Sequence, residues 1–169
     1  MPVTIQVHHA VADGYHCSLF FSDVKEMSLN PEQVGYFLWD NFPEGIKRRG
    51  DFQDIKIWRS INYEIIKHMY DNYNGVLIIP MTIVNIEYYN EIIGNLLNCG
   101  VELHHFILTA YKEIIKRRLI GRGKCESSWP EQQIDRCIQA FKSSIKGEKI
   151  NTNNLSVTEV VNVIMKSIN

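Results

Sequence analysis

The chain has 169 residues, of which 45% are apolar, and these values suit one globular domain with a sizeable core and argue against a disordered chain. Lysine and arginine together number 18 against 19 for aspartate and glutamate, so the formal net charge is -1. This balance excludes a global electrostatic preference for nucleic acid or for an acidic membrane surface.

The first predicted element is a strand. Residues 3–9, VTIQVHH, alternate apolar and polar side chains, and the following AVADG ends in an Asp-Gly turn signal. A short helix is predicted next, because Asn30 followed by Pro31 suits an N-cap with proline at the first helical position, and Pro43 ends the segment. The apolar residues at helical spacing in this segment are Val34, Phe37 and Leu38.

The longest predicted helix runs from about Asp54 to Tyr73, with Gly75 just beyond its C-terminus. Its predicted apolar stripe consists of residues four apart, namely Ile57, Ile61, Ile65 and Met69. Residues 76–84, VLIIPMTIV, then form a continuous apolar run rich in β-branched side chains. Such a run indicates a strand buried on both faces of a parallel sheet.

Helices and strands alternate in the second half of the chain. Residues 86–97 have helical spacing of apolar side chains and are followed by Gly100, residues 101–110 predict a strand, and residues 112–118 predict another helix. Residues 156–159 form a capping box ahead of the last helix. This alternation predicts an α/β domain, a three-layer parallel sheet with helices on both faces.

A basic segment follows the helix predicted at 112–118. Four cations, Arg117, Arg118, Arg122 and Lys124, crowd a glycine-containing stretch that is typical of a mobile flap. Guanidinium groups suit a triphosphate because they offer paired donors and keep their charge. A solvated helix end is the plain alternative, since the helix dipole favours cations there.

Most of the chain resembles a known family. The stretch YNGVLIIPMTIVNIEYYNEIIGNLLNCGVELHHFILTAYKEIIKRRL at 73–119, with SSWPEQQIDRC at 127–137, is similar to tunicamycin-resistance proteins, a branch of the P-loop kinase-like ATPases. The similarity extends through 30–46 and 51–65 and covers about residues 30–169. In that family the chain opens with a strand and a glycine-rich loop ending in Gly-Lys-Ser/Thr, whose amides and lysine hold the nucleotide phosphates. This sequence contains no such loop.

The resemblance implies a fold, a cofactor and site residues. It implies a P-loop kinase-like sheet altered at its first strand, ATP with Mg as cofactor, and nucleotide contacts from Arg118, Arg122 and Arg136. Arg59 stands in the helix where related small-molecule kinases hold an acceptor-binding arginine. Because the phosphate loop is missing, we expect weak or absent ATP binding.

The N-terminal residues 1–25 resemble a second family. The pattern Q-x-H-H-x-x-x-D-G-[FY]-H is similar to the C-terminal active-site segment of chloramphenicol acetyltransferases. Its matching residues here are Gln6, His8, His9, Asp13, Gly14, Tyr15 and His16. The resemblance implies that His9 is the general base for the antibiotic hydroxyl that attacks acetyl-CoA, and that Asp13 makes a structural ion pair.

The position of His9 can also be judged from strand alternation. His9 shares a strand face with Val3, Ile5 and Val7, while His8 faces the other way. Burial helps keep an imidazole neutral, and a neutral imidazole can act as a general base. An inherited histidine at a strand end, without a catalytic role, is the alternative.

The two resemblances predict a junction near residues 25–30, with an acetyltransferase-like segment at 1–28 and a nucleotide-binding body at 29–169. We expect residues 3–7, VTIQV, to replace the lost central strand, because an empty slot would leave two rows of backbone donors and acceptors unpaired. Residues 15–27 are then expected to pack as the first helix.

Three functions stay open. The leading interpretation is an antibiotic-resistance ATP-binding, kinase-like protein with impaired nucleotide binding. The first alternative is a chloramphenicol O-acetyltransferase-related protein that uses acetyl-CoA, and the second is a non-catalytic fusion remnant. Whether the chain is an enzyme is left open by the absence of part of each inherited site.

The remaining expectations concern partners and environment. A small-molecule antibiotic or a nucleotide is the expected ligand, with no nucleic acid. No apolar run approaches the roughly 18 to 20 residues of a transmembrane segment, and no secretory signal is present, which predicts a cytoplasmic protein. The four cysteines are expected to be free thiols. We expect no metal site, because His104 and His105 are neighbours in a predicted strand and point to opposite faces.

Overall fold

The computed structural model describes residues 3–6, 27–28, 31–43, 51–123 and 128–168. Strands within these ranges form a single five-stranded sheet in the order β2-β3-β1-β4-β5, and all its pairs are parallel. The strands are β1 Val3–Gln6, β2 Met27–Ser28, β3 Leu77–Ile78, β4 His104–Thr109 and β5 Glu148–Asn151.

The N-terminal strand lies at the centre of this sheet. On one side β1 pairs with β3 through Val3 and Ile78, and on the other it pairs with β4 along its whole length, up to Gln6 opposite Ile107. The prediction that VTIQV fills the central position is therefore confirmed for Val3–Gln6. The helix predicted at 15–27 lies outside the described residues, except that Met27 begins β2 and is not helical.

Within the described residues, helices lie between β2 and β3, between β3 and β4 and between β4 and β5, and one helix follows β5. The helices are α1 Pro31–Asn41, α2 Lys56–Asn72, α3 Ile86–Tyr89, α4 Asn95–Asn98, α5 Lys112–Gly121, α6 Trp129–Gln132, α7 Ile134–Ser143 and α8 Val157–Ile168. A 3-10 turn at Phe52–Asp54 precedes α2, and a π-helical turn at Asn90–Gly94 joins α3 to α4.

Apolar side chains from the sheet enter two separate core clusters. Along β4, Ile107 packs into the larger cluster, whereas Phe106 and Leu108 pack into the smaller one, as strand alternation requires. The larger cluster contains buried residues of α1, α2, α3, α4 and α7, and the smaller contains buried residues of α8. Helices therefore cover both faces of the sheet, and the predicted three-layer α/β fold is confirmed.

The predicted apolar stripe of the long helix is displaced by one position. Ile57 is 46% exposed, whereas Trp58 and Ile66 are 4% and 2% exposed. The Trp58 indole accounts for the rotation, because it is buried and its Nε1 donates to the Pro31 carbonyl at 2.9 Å, which ties α2 to α1. Asn62, on the same face, is fully buried and donates to the Trp58 carbonyl at 2.7 Å.

The strand predicted at 76–84 is much shorter than expected. Only Leu77 and Ile78 are strand residues, and Pro80, which has no backbone N–H for a ladder, soon follows. Burial on both faces is confirmed, since Ile78 and Ile79 enter opposite core clusters.

The helix predicted at 86–97 is interrupted by the π-helical turn. A π turn contains more residues than an α turn, so it changes the face presented by the residues that follow. Leu96 is consequently fully buried, while Leu97 is 47% exposed. Gly100 ends this region with a φ of 76°, which agrees with the prediction that this glycine follows the end of the helix.

Sequence reasoning missed β5 and the two helices before it. The buried residues of α7, Ile134, Cys137, Ala140 and Phe141, have the spacing of a helical face and were the available signal. β5 offers only Ile150 as a buried apolar residue, so its sequence carries no alternation. Among the described helices none is long and apolar enough to cross a membrane.

Candidate functional site

Ligands of open parallel α/β sheets bind beyond the carboxyl ends of the strands. Here β1 ends at Gln6, and the sequence continues as Val7-His8-His9, without the glycine-rich loop that the resemblance would lead one to expect at this position. His9 and Asp13, the predicted acetyltransferase residues, lie outside the described residues. The candidate site is therefore built from the segments that follow β3, β4 and β5.

Thr152 joins the ends of β4 and β5. It is 1% exposed, and both its backbone N–H and its Oγ1 donate to the Thr109 carbonyl, at 2.8 and 3.0 Å. The adjacent Asn153 accepts a hydrogen bond from the Tyr111 N–H at 2.7 Å. Because buried polar groups need partners, these bonds fix the loop after β5 against the start of α5.

Arg118 extends this network from α5. Its Nη1 donates to Thr152 Oγ1 at 3.0 Å, and its Nη2 donates to the Thr152 carbonyl at 2.7 Å. Both acceptors are uncharged, so they do not neutralise the guanidinium. Burial, and secondly the nearby Arg122, lower the pKa of Arg118. A ligand anion beside these two arginines would relieve their repulsion.

Two ion pairs tie α5 to the helices that follow the basic segment. Lys112 Nζ lies 2.7 Å from Asp135 Oδ2, and Lys116 Nζ lies 2.9 Å from Glu131 Oε1. The lysines are on α5, Glu131 is on α6 and Asp135 is on α7. Residues 124–127 of the predicted flap lie outside the described residues. The helix before them, α5, is nevertheless joined by these ion pairs to α6 and α7, the helices after them.

Arg59 is buried in a different network, beyond the carboxyl end of β3. Its side chain is 7% exposed, whereas that of Glu91 is 41% exposed. Nε donates to Glu91 Oε2 at 2.6 Å and Nη2 donates to Glu91 Oε1 at 3.3 Å, which is a two-pronged ion pair. Nη1 donates to the Gln53 carbonyl. The guanidinium face lies over the Tyr88 ring, with Cζ 4.0 Å from its centroid.

Gln53 links Arg59 to Arg136. It is 6% exposed, its Oε1 accepts from the Val84 N–H at 3.3 Å, and its Nε2 donates to Asp51 Oδ2 at 3.0 Å. Arg136 Nη1 donates to the same Asp51 oxygen at 3.4 Å. Burial raises the pKa of Asp51, although its bond from the Gln53 N–H and the charge of Arg136 oppose the rise.

The structure thus separates the predicted arginines into two groups. Arg118 lies beside Arg122 and contacts the loop after β5, whereas Arg136 and Arg59 are joined through Asp51 and Gln53 in the network after β3. Sequence reasoning missed the partners that fix them, namely Asp51, Gln53, Glu91 and Thr152.

Within the described ranges, no three His, Cys, Asp or Glu side chains group as metal ligands. Cys99 and Cys137 are free thiols.

No protein-family profile matches the chain. A short segment of 32 residues, 19% of the chain, is 53% identical to a chloramphenicol acetyltransferase from Clostridium perfringens. A second acetyltransferase, from Staphylococcus aureus, is 48% identical over 31 residues. The chain spans only about 15% of the length of the first of these proteins and 14% of the second.

Similarity to solved structures extends over nearly the whole chain. The tunicamycin resistance protein of Deinococcus radiodurans superposes with a TM-score of 0.79 over 99% of this chain and 94% of its own, at 20% identity. A gluconokinase from Sinorhizobium meliloti superposes with a TM-score of 0.61 over 95% of this chain and 87% of its own, at 10% identity. The chain therefore has a P-loop kinase-like fold, the fold of the tunicamycin resistance protein.

Proposed function

We propose that this chain is an antibiotic-resistance protein of the tunicamycin-resistance, kinase-like type in which nucleotide binding is impaired. One observation carries the proposal. The sheet has the order of the kinase-like fold with β1 at its centre, yet the sequence after β1 reads Val7-His8-His9 and lacks the glycines and lysine that cradle phosphates.

The described residues suit a weakly held polyphosphate. Arg118 and Arg122 are neighbouring cations at the end of α5, and the hydrogen-bond acceptors of Arg118 are neutral. They would hold the phosphates of ATP, with Arg136 as the further nucleotide-side candidate and Arg59 on the acceptor side. Bound Mg-ATP would supply the phosphoryl group for transfer to a small-molecule antibiotic.

The missing loop sets the expected loss of affinity. Each charge-assisted hydrogen bond contributes roughly 1.5 to 3 kcal/mol, and each 1.4 kcal/mol corresponds to about tenfold in affinity. Losing several amide bonds and a lysine therefore costs several powers of ten. Arg118 and Arg122 recover only part of that loss.

Calorimetric titration with Mg-ATP tests this proposal. We expect a dissociation constant well above the micromolar range, with the residual binding weakened in R118M. A low-micromolar dissociation constant would contradict impaired binding. Binding that is undetectable in the native chain, even by NMR titration, would instead favour the non-catalytic remnant.

An acetyltransferase-related function is the alternative, and the identity of the N-terminal segment to chloramphenicol acetyltransferases supports it. His9 would then act as general base, and Asp13 would make the structural ion pair that shapes the site. Release of free thiol from acetyl-CoA in the presence of chloramphenicol measures this activity. The alternative predicts turnover that H9A abolishes and that the adjacent control H8A retains. Equal rates in the native chain and H9A would reject it.

A further inference from the structure

All three guanidinium nitrogens of Arg59 already donate hydrogen bonds. Two are directed to the Glu91 carboxylate and one to the Gln53 carbonyl, and the ring of Tyr88 covers one face of the group. Only 7% of the side chain is exposed. Two of its five N–H donors are left over, but the group is buried and its charge is paired, so an anionic ligand gains little from this arginine unless it displaces Glu91.

Glu91 is held opposite Arg59 by the π-helical turn at Asn90–Gly94. The two residues that follow Glu91, Ile92 and Ile93, are 0% and 2% exposed, so the turn is anchored in the core. Wider turns of this kind often lie at functional sites. The side chain of Glu91 is 41% exposed, and Glu91 is therefore the solvent-facing member of the pair.

The same contacts connect Arg59 to the backbone that follows β3. The arginine holds the Gln53 carbonyl, and the Gln53 side chain holds the Val84 N–H. Tyr88, under the guanidinium, donates to Asp54 Oδ1 at 3.2 Å. Arg59 thereby fixes the 3-10 turn and α3 relative to each other.

We infer that Arg59 is a positioning residue that acts through Glu91, and that an acceptor on this surface meets carboxylate oxygens instead of a free guanidinium. The inference rests on the proposed function, since it takes this surface as the acceptor side. It follows that the site favours an acceptor that donates hydrogen bonds from hydroxyl or amine groups over one anchored by a carboxylate or phosphate.

The Nε–H signal of Arg59 in NMR spectra of the full chain tests the inference, with R59M identifying that signal. Sodium gluconate is the anionic probe, and sorbitol, which has the same carbon skeleton without a carboxylate, is the neutral control. At constant ionic strength we expect gluconate to leave the signal unchanged in the native chain and to shift it in E91Q, whose guanidinium has lost its carboxylate. A gluconate-specific shift in the native chain would overturn the inference.

Titration of the Glu91 carboxyl carbon gives a second readout that a merely space-filling Arg59 would not move. We expect Glu91 to titrate at a higher pH in R59M than in the native chain. R59K should restore the native value only in part, because a lysine ammonium cannot offer the paired, planar N–H donors of a guanidinium. Equal midpoints in the native chain and R59M also overturn the inference. If R59M does not fold, the Arg59 Nε–H signal is identified by sequential resonance assignment instead. The comparison of the gluconate response in the native chain and in E91Q then still tests the inference.

These measurements contain no nucleotide, so the two proposals fail separately. A low-micromolar dissociation constant for Mg-ATP, or no detectable binding, would remove the proposed function and leave the Arg59 result intact. A gluconate shift in the native chain would overturn the positioning role and leave nucleotide binding untouched.

Discussion

Arg59 and Arg118 lie in two networks at the carboxyl edge of the same sheet, and they differ in the charge of their partners. Arg59 is paired with the Glu91 carboxylate, and its side chain is almost fully buried. Arg118 donates to the hydroxyl and the carbonyl of Thr152, both neutral, and lies near a second cation, Arg122.

The difference shows how an arginine is assigned to structure or to ligand binding. A guanidinium whose charge is cancelled within the protein stabilises the fold and has little attraction for an anion. A guanidinium held by neutral oxygens is fixed in place while its charge remains. Arg59 therefore belongs to the framework, and Arg118 is the better candidate for contact with a polyphosphate.

The largest expected effect separates the two arginines by stability. We expect R59M to lower the free energy of unfolding by about 2 to 4 kcal/mol, somewhat less than the full cost of breaking a buried pair because Glu91 is half-exposed. R118M, the matched control, removes bonds to neutral groups and is expected to cost about 1 kcal/mol. Urea denaturation of both variants measures this, and an equal or larger loss in R118M would refute the comparison.

The next effect concerns the anchor of Arg118. Replacing Thr152 by valine keeps its shape but removes the hydroxyl that bonds both Thr109 and Arg118. We expect T152V to cost about 1 to 2 kcal/mol, because a buried carbonyl loses one of its donors and a guanidinium loses an acceptor. T152S, which keeps the hydroxyl, is the control in thermal or urea unfolding. If T152S is as unstable as T152V, packing of the methyl group and not the hydroxyl carries the effect.

The third effect tests ligand binding at the two arginines. We expect R118M to weaken binding of inorganic tripolyphosphate about fivefold to tenfold, the loss of roughly one charge-assisted contact. E91Q should not weaken this binding, since Arg59 lies in the other network and the substitution removes a negative charge. Competition NMR with a phosphorus-detected probe measures both constants. An equal loss of tripolyphosphate affinity in R118M and E91Q would show that the ligand does not bind preferentially at the Arg118 network, and would contradict the comparison.

The resemblance to P-loop kinase-like proteins, together with strand and helix patterns, correctly gave the sheet, the central place of Val3–Gln6 and the capping box. In the structure the Ser156 N–H donates to Glu159 Oε2 at 2.7 Å, and the Glu159 N–H donates back to Ser156 Oγ at 3.3 Å. These features depend on residues close in sequence or on an alternation of apolar side chains. β5 has neither signal and was missed.

The roles of the arginines could not be separated in the same way. Glu91 is 32 positions from Arg59, and Thr152 is 34 positions from Arg118, so neither partner is visible as a local pattern. The π-helical turn that presents Glu91 also has no sequence signature in an otherwise regular apolar spacing. Tertiary packing decides which arginine is neutralised.

The smallest expected effect distinguishes two carboxyl groups of the Arg59 network by the sign of their pH dependence. The hydrogen bond from Arg59 lowers the pKa of Glu91 from 4.5, so its contribution to stability is present above that value and is lost as the pH falls through the folded-state pKa.

Burial raises the pKa of Asp51 above 3.8, so its protonated form is favoured in the folded state, and stability falls as the pH rises from 3.8 through that raised value. The test is the free energy of unfolding of the native chain, E91Q and D51N from about pH 2 to pH 7. The value for each variant is subtracted from the value for the native chain at the same pH. The E91Q difference should decrease toward acid by at most about 1 kcal/mol, because the pair is partly exposed. The D51N difference should run the opposite way, and parallel slopes would show that Asp51 is stabilised as a carboxylate by Arg136 and not penalised by burial.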